Sequence, residues 1–246
     1  MSAAVIDDIR AIRERWHTKN HPFFGALGEG KLPLRALGVY LAMHFQFVQR
    51  ALASFGILYT RLYAFEDVRK AIVENLAEEE GLKAIPREGH VPHDHNELIV
   101  RFCKAAGLAE HEVRGMKMTP AWWGRSLHYY QTALQEPIGV VLAMQTTQEG
   151  QQPALNSEVV LPALARHYGF PPGSPEIEFF TEHAEADIEH SQRQAQLCAR
   201  YLDTDAAKAR ALEVAEQACM LRWASVTELY RRDCLGEKDI LPAGVS

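Results

Sequence analysis

The run Phe179-Phe180-Thr181-Glu182-His183-Ala184-Glu185-Ala186-Asp187-Ile188-Glu189-His190 holds the residues best suited to chemistry. It sets His183, Asp187 and His190 at i, i+4 and i+7. On an α-helix these three side chains fall within about 60° of one another. Two imidazoles and a carboxylate on one stripe are a donor set for iron, manganese or zinc. The competing reading is a charged outer face, since Glu182, Glu185 and Glu189 share the segment. Matching carboxylates and a further histidine elsewhere would decide for metal.

A first carboxylate comes from Asn75-Leu76-Ala77-Glu78-Glu79-Glu80-Gly81, which ends a helix with the apolar stripe Phe65, Val68, Ile72 and Leu76. Projected from Ile72, Glu79 falls about 20° from the stripe, Glu80 about 80° and Glu78 about 120°. Glu79 is therefore the glutamate aimed at the core, where a carboxylate must be paired or metal-bound. Between residues 137 and 169, Ile138, Leu142, Gln145, Glu149, Asn156 and Val160 share one side, so Glu149 also interrupts an apolar stripe. Pro153 leaves the Glu149 carbonyl without its helical donor, and such irregularities often flank functional sites. Glu158 competes but lies off the stripe. The loop Glu88–Asn96 holds His90, His93 and His95. His95, in the first turn of the next helix, is held most rigidly and is preferred, with His90 and His93 left open.

The candidate set is thus Glu79, His95, Glu149, His183, Asp187 and His190. Three negative charges facing two divalent ions leave a site of net +1, ready for an anionic substrate or reduced oxygen. Carboxylates and imidazoles drawn from bundle helices build dinuclear iron sites. A structural zinc site would favour four ligands with thiolates, and no cysteine lies in these segments.

The elements that must position this set are helical, because strand-like alternation is scarce. Periodicity predicts helices at 3–16, 33–61, 65–82, 94–108, 119–135, 137–169, 176–202 and 204–232. Pro33, Pro120 and Pro137 mark starts, and Gly81, Gly107 and Gly169 mark αL ends. Pro153 and Pro162 should break the 137–169 segment. The helix at 33–61 is apolar around much of its circumference, as a central helix would be; its His44 reads first as a core histidine. One all-α domain over 1–233 with a tail at 234–246 is expected.

Bulk properties narrow the function. The 246 residues, 47% hydrophobic, can bury a large core. A net charge of −6 without a basic tract argues against nucleic acid. No apolar run reaches the roughly 18 residues of a membrane span. No signal peptide is expected at the N-terminus. Cys103, Cys198, Cys219 and Cys234 show no C-x-x-C pairing and read as reduced thiols. A soluble, cytoplasmic protein is the expectation.

On Asn75-Leu76-x-x-Glu79-Glu80, His95-x-x-Leu98, Glu149-x-Gln151-x-Pro153 and the 180–190 run, the chain resembles the haem-oxygenase-like diiron oxidases. The branch is that of TenA and pyrroloquinoline quinone synthase C, with chlamydial members nearest. The resemblance covers nearly the whole chain from His21-Pro22-Phe23. It implies a seven-helix bundle, the same six ligands, two ferrous ions, O2 as co-substrate, a small-molecule substrate and a homodimer, and it admits an external electron donor. The reactions it implies are N-oxygenation, oxidative decarboxylation or C–C cleavage in specialised metabolism. Departures matter too. The Glu79–His95 loop is longer here than in the chlamydial branch. Phe24 and Val159 occupy the positions of that branch's sacrificial tyrosine and assisting lysine, so a self-consuming para-aminobenzoate synthase is not expected. A thiaminase cysteine has no equivalent.

Bulky residues at Phe23, Phe24, Tyr40, Trp122 and Trp123 suit a compact, amino-acid-derived substrate, unless they are ordinary core. Two other classes stand against the oxidase. A cofactor-free enzyme on the same fold would keep its activity in Glu79→Ala. A non-enzymatic interaction protein would have no use for six inward ligands.

Overall fold

The computed structural model describes residues 2–85 and 89–237. The helices α1 (Ser2–Arg15) and α2 (Pro22–Gly28) lead into the long α3 (Leu34–Arg61) and α4 (Glu66–Glu79). Then come α5 (His95–Ala105), the short α6 (Glu110–Arg114), α7 (Pro120–Gln135) and α8 (Ile138–Glu149). After α8 the chain forms α9 (Gln152–Ala154), a π-helical turn (Leu155–Val160) and α10 (Leu161–His167). The long α11 (Glu178–Tyr201) and α12 (Asp205–Leu229) follow, and a second π turn runs over Tyr230–Cys234. No strand occurs among the described residues, so the all-α expectation holds. Residues 238–246 of the expected tail lie outside the described residues. Among the described residues no helix is long and apolar enough to cross a membrane.

Two elements depart from the periodicity. The stretch 17–32 contains α2, too short to show a helical period. His21 starts it by accepting the Phe23 N–H at its Nδ1, 3.1 Å away, and Phe23, Phe24 and Leu27 enter the core. The segment 137–169 breaks where its prolines remove donors. Between Pro153 and Pro162 the ladder relaxes to wider spacing, with the Leu161 N–H donating to the Asn156 carbonyl.

The innermost helix is α8 rather than α3. Every residue of α8 from Ile138 to Gln148 is buried, and it packs against α11 and α12. Burial in α3 is concentrated between Ala36 and Phe47, after which only one side of the helix, with Ser54, Phe55 and Leu58, stays buried.

One junction sets the register of the site. Glu80 and Asp94 form an isolated antiparallel bridge, and Asp94 caps α5 by accepting the Asn96 N–H at 2.8 Å. Gly81 turns with φ of +69°, and a Cβ there would sit 2.4 Å from the Asp94 nitrogen. Only glycine permits this crossing. It holds Glu79, the last residue of α4, beside His95, the first of α5.

Candidate metal centre

The six sequence candidates gather as two triads. Glu79, His95 and His183 bring one ligand atom each within 4.8 Å of one another, and so do Glu149, Asp187 and His190. In the first triad His95 Nδ1 lies 3.0 Å from Glu79 Oε2, and His183 Nε2 lies 3.8 Å from Glu79 Oε1. In the second, His190 Nδ1 lies 3.6 Å from Asp187 Oδ1. Helix α11 serves both triads, because His183 and Asp187 are one turn apart. His90 and His93 do not join Glu79. They form a separate close group with Glu182, while Glu158 is exposed and pairs with Lys19.

Behind each candidate histidine stands a buried acceptor. The His95 Nε2 is 3.0 Å from Glu182 Oε2, a close ionic contact without hydrogen-bond alignment. The His183 Nδ1 is 2.8 Å from the Phe179 carbonyl, and the His190 Nε2 is 2.6 Å from Glu78 Oε2. Metal-binding histidines are oriented this way, with the far ring N–H fixed by a carboxylate or carbonyl and the near nitrogen turned to the ion. Glu149 is steered by Gln194 Nε2, which donates to its Oε2 at 2.6 Å. Asp187 Oδ2 and His190 Nδ1 are buried in the second triad without a hydrogen-bond partner. A divalent ion there would satisfy both, so the residues fit a metal pair.

Two of these back partners correct the sequence reading. Glu78 projects away from the α4 stripe, and Glu182 reads as part of a charged face. Both are buried, 3% and 0% exposed. The stripe projection tests one helix against one apolar side; α11 covers the second side of α4 with His190, and α5 covers Glu182 with His95. The only local cue was their adjacency to Glu79 and His183.

Without metal, the triads hold their charge by pairing. Burial works to raise the Glu79 carboxyl, but the His95 and His183 charges outweigh it and hold it down to about 2. Burial works to lower His95, and Glu79 and Glu182 carry it up to about 10. His190 rises to about 10 as Asp187 and Glu78 overcome its burial. Glu149 is pushed above the carboxylate range by burial, then by the like charge of Asp187.

Both triads open on a cavity of about 70 Å³. Glu79, Glu149, His183 and Asp187 form one wall, Phe47, Val48, Leu52 and Phe55 an apolar one. His44 also lines it, with Nδ1 unpartnered, and burial lowers its pKa well below the ordinary value. The expected pocket aromatics lie elsewhere. Phe24 and Tyr40 border a separate small cavity. Trp122 is core, and Trp123 is exposed on the surface with Arg50 stacked 4.2 Å from its ring centre.

Known proteins resemble this chain along most of its length. Residues 39–223 match the family described as iron-containing redox enzyme. A 4-aminobenzoate synthase of Nitrosomonas europaea is 26% identical over 227 residues, 92% of this chain and 91% of that protein. Chlamydial proteins of the same name are similar as well. A Shewanella denitrificans domain of unknown function with a heme oxygenase-like fold superposes with a TM-score of 0.75, at 14% identity, over 91% of this chain and 90% of that one. A TenA homolog from Pseudomonas syringae gives 0.72 at 13% identity, over 93% and 92%. At these identities the structural matches establish the fold alone, and that fold is the haem-oxygenase-like bundle.

Proposed function

The chain belongs to the iron-containing redox enzyme family, and from that premise we propose that it is an O2-dependent dinuclear iron oxidase acting on a small organic substrate. The observation that carries this reading is the backing of all three histidines. His183 and His190 each have one ring nitrogen hydrogen-bonded to a buried acceptor, His95 has Glu182 Oε2 3.0 Å behind its Nε2, and the other nitrogen of each is turned into a carboxylate-bearing triad. A core that needed only ion pairs would not leave Asp187 Oδ2 and His190 Nδ1 buried without a partner.

In this reading Glu79, His95 and His183 hold one ion, and Glu149, Asp187 and His190 the other. Bound ferrous ions would supply electrons and open coordination positions for O2 activation. The protein's own groups do the rest. Phe47, Leu52 and Phe55 give the substrate side an apolar lining. His44, kept neutral by burial, can hydrogen-bond bound substrate through its unpartnered Nδ1. The substrate's reacting atom would lie beside Glu79, Glu149 and Asp187, which line the cavity. Phe24 is fully buried among Phe23 and Tyr40 and offers no hydroxyl, so it cannot serve as a self-consumed phenol.

The test is an anaerobic ferrous titration of metal-free protein, followed by stopped-flow absorption on mixing with O2. About two irons per chain and a transient visible band are expected, both lost in Glu79→Ala and His183→Ala. Absence of iron uptake with and without small acids and amines refutes the oxidase and returns the chain to a cofactor-free enzyme on this fold.

A further inference from the structure

The cavity has a second polar wall that the metal reading leaves unused. Arg125 of α7 and Arg222 of α12 both line it, and they are 4% and 1% exposed. Buried arginines normally face carboxylates. Among the described residues neither guanidinium has a carboxylate oxygen within ion-pair distance. Their partners are neutral. Arg125 Nη2 donates to Gln148 Oε1 at 3.0 Å. Arg222 Nη1 donates to the Gln148 carbonyl at 2.6 Å, and its Nη2 to Gln152 Oε1 at 3.1 Å.

Four donor atoms on this wall remain without a partner: Arg125 Nε and Nη1, Arg222 Nε, and Gln148 Nε2. The Arg125 guanidinium is also stacked, 4.1 Å from the Phe47 ring centre and 5.1 Å from that of Trp122. Stacking covers its face and leaves its edge to donate, the presentation that matches a planar, two-oxygen acceptor. Burial, then the charge of Arg222, pushes Arg125 down to about 9, so it still carries its proton at neutral pH.

We propose that Arg125 and Arg222 form the anion-binding end of the cavity and that the substrate is a small organic acid anchored there by its carboxylate. The apolar residues Phe47, Leu52 and Phe55 line the same cavity and would take the body of the acid, a contact a bare inorganic anion does not use. Glu79 and Asp187 line the same cavity, so an acid held by the arginines lies beside the candidate metal ligands. This deepens the oxidase reading by naming its substrate class and rests on that reading for the chemistry, but not for the binding.

The experiment uses the full chain free of metal, at pH 7, titrated calorimetrically with three matched pairs: acetate and acetamide, benzoate and benzamide, 4-aminobenzoate and 4-aminobenzamide. At least one acid is expected to bind about tenfold tighter than its amide or better, because only the acid completes the guanidinium pairing. That preference should collapse in Arg125→Met and in Arg222→Met. The comparison on unaltered protein stands even if a variant fails to fold. Amides binding as well as acids, no acid binding at all, or a preference that survives in folded variants overturns the proposal. Ferrous loading without acid preference removes the arginine site and leaves the oxidase reading standing. Acid preference without ferrous loading does the reverse.

Discussion

On one wall of the central cavity, α4, α5, α8 and α11 bring Glu79, Glu149 and Asp187 against His95, His183 and His190. At the same cavity, α7 and α12 bring Arg125 and Arg222 against the amides of Gln148 and Gln152. Both bury charge. The first balances it internally, with imidazoles between carboxylates in front and Glu78 or Glu182 behind. The second balances it with neutral oxygens only, one of them a carbonyl near the C-terminal end of α8, where the helix dipole favours a cation. A group that pairs protonated imidazoles with carboxylates suits metal ions that displace protons. A wall that stays cationic when empty suits a ligand that brings its own negative charge.

The largest effect should come from breaking a pair on the first wall. Glu78→Ala leaves His190 buried without its acceptor and should cost about 3–5 kcal/mol, read from urea unfolding of the metal-free protein. An unchanged midpoint would mean that the pair contributes nothing. Glu182→Gln keeps the shape but weakens the backing of His95, and ferrous affinity should fall about 10–100-fold; titration with a competing chelator measures it.

The pH dependence of the metal-free protein sharpens the contrast further. His95 and His190 titrate near 10 when folded against 6.5 unfolded, so their stability is fully present below pH 6.5 and is lost as pH rises toward 10. Glu149, raised above 4.5, works in the same direction from pH 4.5 upward. Glu79, held at about 2, contributes stability above pH 4.5 that is lost only as pH falls through 2. The melting temperature should therefore decline from pH 6 to pH 9, and ferrous binding at pH 7 should release protons into a weakly buffered indicator solution. A flat profile with no proton release would show neutral imidazoles in the empty triads.

On the second wall the sign changes. Arg125→Met removes a buried cation that has no counter-charge, so stability should stay within about 1 kcal/mol of the parent or rise. A loss as large as that of Glu78→Ala would make Arg125 a structural residue. The smallest effect is expected at the exposed Lys19–Glu158 pair: Glu158→Ala should change stability by less than about 0.5 kcal/mol and leave iron uptake intact.

Residue by residue, legibility followed locality. His183, Asp187 and His190 were readable because an α-helix converts spacing into direction. Glu79 and Glu149 were readable because each interrupts an apolar stripe. His95 stood out from His90 and His93 because Asp94 begins a helix there. The back partners Glu78 and Glu182 were not, since their burial comes from helices distant in the chain.

Spacing along the chain was enough for the long helices, for the interruption around Pro153 and Pro162, and for naming six candidate ligands. All of these follow from covalent geometry and periodicity within about ten residues. Only the tertiary structure decided how the six divide into two triads, which acceptors stand behind the histidines, and that Arg125 and Arg222, nearly a hundred residues apart, share one cavity. Desolvation and pairing depend on what neighbouring helices bring, and that is fixed by packing rather than by spacing along the chain.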